Sequence, residues 1–140
     1  MCARADKFTA LSKTPVYYRD FTSNFDLNPQ TGYLATLTNA EAVVNSIRNL
    51  VLTNKFERFY QPNVGSKIQS LLFDLNDIPT QQLLVTTITE TIRNYEPRAL
   101  TVGVSVVQVI DANQIQINIV FSLLNITKPI SFNLILKRVR

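Results

Sequence analysis

The chain has 140 residues, is 46% hydrophobic and 17% charged, and carries a net charge of +4, which is enough chain for one domain with its own core and too little charge for a disordered one. With no histidine, one cysteine and three glycines, it lacks histidine-dependent nucleophile pairs, histidine-bound zinc, an internal disulfide, a multi-thiolate metal site and a glycine-rich phosphate loop. No apolar run reaches the ~20 residues of a bilayer span, and residues 1–10 hold no continuous apolar stretch, so neither a membrane span nor a signal peptide is expected. No cofactor is implied, and Cys2, among the first residues, reads as inert.

The positive charge is uneven. Residues 1–20 hold four basic and two acidic side chains, and residues 21–98 hold six and seven. Residues 99–140 hold Lys128, Lys137, Arg138 and Arg140 against Asp111 alone. The cluster Lys137-Arg138-Val139-Arg140 is too narrow for a nucleic-acid footprint. It suits a strand end kept from random pairing, or an ordinary protein contact.

Residues 1–37 read as an extended N-terminal arm. Pro15, Asn24, Asn28-Pro29 and Thr31-Gly32 punctuate it, which suits loops and short extended pieces. Its aromatics Phe8, Tyr17, Tyr18, Phe21, Phe25 and Tyr33 are expected to lie along the domain or along a neighbour. Residues 38–140 read as a single α+β domain. Thr38 with Glu41 is a capping box, followed by a helical stripe of Val43, Val44, Ile47, Leu50 and Val51. Asn45, Arg48 and Asn49 fall on the other face, and Asn54 stops the helix.

Residues 55–65 form a loop or short extended piece. Ser66 then caps a short second helix through Ile68, Leu71, Leu72 and Leu75, ending at Asn76-Asp77. Pro79 opens a third helix, with Leu84, Val85, Ile88, Ile92 and Tyr95 as its buried stripe, which ends before Pro97.

Beyond residue 98 the period becomes two. Leu100, Val102, Val104 and Val106 alternate with polar or small residues, and the phase slips at Val107, as at a β-bulge. A turn at Asp111-Ala112-Asn113-Gln114 leads to a second strand with Ile115, Ile117, Ile119, Phe121 and Leu123. A break from Asn125 to Pro129 leads to a third, with Ile130, Phe132, Leu134 and Leu136. The expected fold is α+β: the arm, then three helices packed on one face of a C-terminal antiparallel β-meander. Val120, Leu124, Ile135 and Val139 place further apolar residues on the opposite face.

Two charged groups stand out, Glu57-Arg58 and Glu96-Pro97-Arg98. In the second, proline fixes the turn between a carboxylate and a guanidinium that match two-pronged. The residue types allow either an internal ion pair pinning the helix–sheet corner or a contact with a partner. An enzymatic alternative is a glycosidase using Glu57 and Glu96 as its carboxyl pair, with Asp74 a third option. Neighbouring arginines lower a carboxyl pKa and spoil a general acid, and the chain has no tryptophan.

The runs Ser46-Ile47-Arg48-Asn49-Leu50-Val51-Leu52-Thr53, Phe56-Glu57-Arg58, Gln61-Pro62-Asn63-Val64-Gly65, Leu71-Leu72-Phe73 and Tyr95-Glu96-Pro97-Arg98 occur in an order and spacing that resembles the contractile-tail baseplate wedge family. That family includes small wedge proteins of myophages, some named lysozyme-like, and the matching component of type VI secretion baseplates. The lysozyme-like resemblance makes peptidoglycan the substrate of the glycosidase alternative. The resemblance spans about residues 17–124. One departure is Lys55-Phe56, where many relatives have Pro-Gly before Glu-Arg.

The resemblance implies a structural, non-enzymatic protein of the virion tail baseplate, assembled in the host cytoplasm in six copies, touching neither nucleic acid nor membrane. It implies that Glu96, Pro97 and Arg98, with Glu57 and Arg58 nearby, meet the helical core bundle of other wedge proteins. It also implies that the sheet takes a strand from the tail sheath protein. The last strand, with Ile130, Phe132, Leu134 and Arg138, is the expected edge, and the tail tube or hub is a further neighbour.

Overall fold

The computed structural model describes residues 16–74, 77–109, 114–124 and 126–137. The expectations on Cys2, Phe8 and Pro15, on Leu75 and Asn76, on the turn at 111–113, on Asn125, and on Arg138, Val139 and Arg140 lie outside them. Within the arm, the short extended pieces are two antiparallel strands, β1 (Arg19–Phe21) and β2 (Thr36–Thr38), with Arg19 opposite Thr38. Between them the chain is held by a bridge from Leu27 to Leu34.

Because Thr38 belongs to that ladder, the capping box with Glu41 does not form. Helix α1 (Ala40–Leu52) starts instead from Asn39, at φ 47 and with no side-chain cap bond. The Asn39 Oδ1 accepts the backbone N–H of Tyr17 at 2.8 Å and of Tyr18 at 3.4 Å, so it ties the arm to the helix. Val43, Ile47, Leu50 and Val51 are buried as their spacing expects. Asn45, assigned to the outer face, is buried as well. The arm lies over it: its Nδ2 donates to Asp20 Oδ2 at 3.1 Å and to the Phe21 carbonyl at 3.3 Å, and its Oδ1 accepts from Ser23 Oγ at 2.7 Å.

Helix α2 (Ile68–Leu71) is one turn. Its N-cap is Lys67, not Ser66. Ser66 is buried, and its hydroxyl must find a partner: it donates to the Val51 carbonyl at 2.6 Å and accepts the Ile68 N–H at 3.4 Å. Helix α3 (Ile78–Tyr95) carries Pro79 in its first turn and ends at Glu96. Leu84, Ile88 and Ile92 are fully buried, but Tyr95 is part of the surface, because its hydroxyl reaches out to donate to the Asn63 carbonyl at 2.6 Å.

The meander is β3 (Ala99–Val109), β4 (Gln114–Leu123) and β5 (Ile126–Lys137), antiparallel in the order β3-β4-β5. The irregularity in β3 lies between Thr101 and Gly103, earlier than the expected slip at Val107. It reverses the phase of the first residues, so Leu100 faces outward while Val104 and Val106 pack on the core. The break expected from Asn125 to Pro129 is also shorter: β5 pairs from Ile126, opposite Leu123. Pro129 is tolerated there because β5 is an edge strand, where a missing N–H need not face a ladder partner.

The helices cover one face of the meander, as expected. Val43, Ile47 and Val51 of α1, with Leu84, Ile88 and Ile92 of α3, pack on Ile115, Ile117, Ile119 and Phe121 of β4 and Leu134 of β5. Phe121 and Phe132 meet edge-to-face at 6.2 Å, a favoured aromatic geometry. On the other face Leu124 and Ile135 are exposed.

Candidate functional site

The corner between α3 and β3 is built by three residues of one turn and one of α1. Glu96 caps α3, and the Ala99 N–H returns to its carbonyl at 3.1 Å. With Pro97 between them, the side chains of Glu96 and Arg98 face each other. The guanidinium grips the carboxylate two-pronged, Nε–H to Oε1 and Nη2–H to Oε2 at 2.7 Å. Ser46 Oγ donates to Oε2 from α1. The Arg98 guanidinium also lies 5.3 Å from the centre of the Tyr18 ring, a cation–π distance. One ion pair therefore joins the arm, α1, α3 and β3.

Glu96 is 3% exposed, whereas the Arg98 side chain is 38% exposed. Burial alone pushes the Glu96 carboxyl up, but the hydrogen bonds from Arg98 and Ser46, with the Arg98 charge, outweigh it and hold the group below its ordinary value. The bond to Glu96 in turn raises Arg98. A carboxyl kept ionised in this way is a poor proton donor. Pro97 is exposed at the tip of the turn. Among the described residues, the Arg98 Nη1 donors have no hydrogen-bond acceptor.

Glu57 and Arg58 behave differently. Glu57 Oε2 accepts the Asn54 N–H at 2.8 Å, so this carboxylate staples its own loop. Arg58 makes no ion pair among the described residues and lines an open groove of about 730 Å³ with Asp20, Ser46, Asn49, Tyr60 and Tyr95. Through Ser46 this groove adjoins the corner. Asp20 is its one carboxylate, held by Asn45, whereas glycoside cleavage needs two. Glu57, Glu96 and Asp74 are not among its walls. Among the described residues no group of acidic or sulfur side chains could hold a metal.

The departure at Lys55-Phe56 proves to be a real turn. Phe56 sits at φ 69, the left-handed conformation that glycine adopts freely and a bulky residue rarely does. In β5, the Ile130, Phe132 and Leu134 side chains point into the core. What this strand offers outward is backbone: among the described residues β5 pairs only with β4, and its other edge is open.

Sequence reasoning missed Ser46 as the second ligand of Glu96, and Tyr18 and Asn45 as the arm's attachment points. Ser46 could have been found: three residues after Val43 and four before Leu50, it lies at the margin of the buried stripe.

The family model of the baseplate wedge protein gp25 matches residues 38–126. Several solved structures are similar in fold. A Geobacter sulfurreducens protein provisionally named a tail lysozyme is 22% identical with a TM-score of 0.67, over 74% of this chain and 96% of its own. A chain of the six-fold anti-feeding prophage baseplate is 19% identical with a TM-score of 0.60, over 84% and 83%. A chain of the postcontracted pyocin R2 baseplate is 18% identical with a TM-score of 0.52, over 69% and 93%. A chain of the type VI secretion baseplate complex is 14% identical with a TM-score of 0.55, over 69% and 92%. No match was found among curated proteins.

Proposed function

Starting from a chain that belongs to the baseplate wedge protein gp25 family, we propose that it docks on other wedge proteins beside the Glu96–Arg98 corner and starts the tail sheath by accepting a strand along β5. Its coarser role follows from the family: a structural baseplate component of a contractile-tail system. The finer reading includes six copies per baseplate, assembly in the host cytoplasm, the tail tube or hub as a further neighbour, and no catalytic duty.

Support for strand addition comes from the outer edge of β5, 12 residues long and unpaired among the described residues. An edge of that length offers alternating N–H and C=O groups to a partner strand. Support for docking at the corner is geometric. Arg98 is already committed to Glu96 through Nε and Nη2, but its side chain stays 38% exposed, and the open groove with Arg58 and Tyr60 lies next to it. Peptidoglycan cleavage is disfavoured by the ionised, buried state of Glu96.

The test places proline at Asn133 and, separately, at Phe132. Neighbouring residues of a strand direct their N–H groups to opposite edges. Phe132→Pro therefore disturbs the ladder to β4, loses a ring packed on Phe121 and lowers Tm, whereas Asn133→Pro, in the alternation of Pro129, removes an outward donor with little change in Tm. Asn133→Pro should incorporate into wedges yet fail to nucleate sheath. Normal sheath growth in both variants would remove β5 as the acceptor edge.

A further inference from the structure

A second cleft, sharing no lining residue with the groove beside the corner, opens between the loop at residues 54–66 and α2. It has a volume of about 510 Å³, and its walls include Lys55, Phe56, Lys67 and Phe73. Phe56 is 77% exposed and Phe73 68%, so two phenylalanines flank one concavity with most of their surface in water.

Most of the cleft's other polar groups are engaged within the protein. Asn54 Nδ2 donates to Gln69 Oε1 at 2.6 Å, and Ser70 Oγ donates to the Lys67 carbonyl at 2.8 Å. Ser66 Oγ is spent on the Val51 carbonyl. What the cleft still offers a ligand is two aromatic surfaces, the side chains of Lys55 and Lys67, and the second amide atoms of Asn54 and Gln69. Neither Lys55 nor Lys67 has an ion-pair partner among the described residues, and no carboxylate lines the cleft.

The loop is held for display. The Phe56 N–H donates to the Pro62 carbonyl at 2.8 Å, Lys55 N–H to Ser66 O at 3.3 Å, and Ser66 N–H to Thr53 O at 2.8 Å. These bonds hold Phe56 at φ 69, a strained backbone for a bulky residue. Strain of this kind persists where the surroundings impose it, and it collects at binding sites. A fixed aromatic anchor loses little freedom on binding, which is what interface hot spots require.

We propose that this cleft binds an acidic peptide segment of another protein, with one large apolar side chain seated between Phe56 and Phe73 and flanking carboxylates on Lys55 and Lys67. A nucleic acid fits less well: residues 21–98 carry six basic against seven acidic side chains, with no broad basic footprint. The inference does not rest on the baseplate reading.

The test is selection of a random dodecapeptide display library against the full chain, with Phe56→Gly as the counter-target. Recovered peptides should share carboxylates around one large apolar residue. They should bind Phe56→Gly and Lys55→Glu at least tenfold more weakly, and shift the amide resonances of residues 54–56 and 66–73. Glycine accepts φ 69 without strain, so Phe56→Gly should melt no lower than the parent. Lost binding in that variant is then not lost folding. Recovery of neutral or basic peptides, equal binding by Phe56→Gly, or no enrichment overturns the proposal. So does tighter binding of oligo-dT or phosphatidylserine vesicles that depends on Phe56 and Lys55.

Discussion

Two glutamate–arginine groups of the same residue types reach opposite ends. Glu96 and Arg98 close on each other inside the fold, and Glu57 and Arg58 do not meet at all. The difference lies in spacing and in what surrounds them. A proline turn between Glu96 and Arg98 brings the two side chains to one side, and α1 supplies Ser46 to complete the carboxylate's partners. Adjacent residues in a loop diverge, so Glu57 turns back to its own backbone and Arg58 is left at the groove. The first pair consolidates four elements, and the second leaves a cation on display.

The loop that carries Glu57 and Arg58 is most sensitive to substitution at its base. Gly65 holds φ +125, and a Cβ there would stand 2.6 Å from the Thr53 carbonyl oxygen. Gly65→Ala should lose about 3 kcal/mol from strain and backbone clash together, read as a fall in the urea midpoint. At the corner, Arg98→Ala leaves a buried carboxylate with only Ser46. Full burial of such a pair would set the loss at ~3–5 kcal/mol; Arg98 is partly solvated, so about 2 kcal/mol is expected after screening. Arg58→Ala should stay within about 0.5 kcal/mol, as surface changes do. Equal losses for the two arginines would erase the distinction between them.

The corner should also show in the acid limb of stability. The folded Glu96 carboxyl lies below its ordinary value. Its contribution is therefore fully present above the unfolded carboxyl pKa and is lost as pH falls through the lower folded one. Glu96→Gln should flatten the dependence of unfolding free energy on pH in that acid window and leave the slope near neutrality unchanged. Between these effects lies the arm. Asn45→Ala removes the bonds to Asp20, Phe21 and Ser23 and should cost about 1–2 kcal/mol, with faster proteolysis within residues 16–38.

Much of the fold was legible because its signals are local. Pro79 and Pro97 bracket α3, and the change to period two after residue 98 marks the meander. Failures arose where a distant partner prevailed over a local pattern. Thr38 and Glu41 form a sound capping box on paper, but Arg19 takes Thr38 into a ladder. The outward turn of Leu100 depends on an irregularity at residues 101–103 that alternation alone dated to Val107. Asn45 looks solvated on a helical wheel, and only the arm folding over it makes it buried. At the candidate site the residues Glu96 and Arg98 were readable, but the burial of one and the exposure of the other were not, since both depend on where α1 and Tyr18 come to rest.

In the proposed role, the β5 edge that is unpaired among the described residues serves assembly. A density map of the assembled tail, resolved well enough to separate strands, tests it most directly. The predicted result is a strand from another chain running alongside β5, with the Glu96–Arg98 pair intact beneath the wedge contact. A β5 edge left facing solvent, with the added strand on β3 or absent, would contradict it.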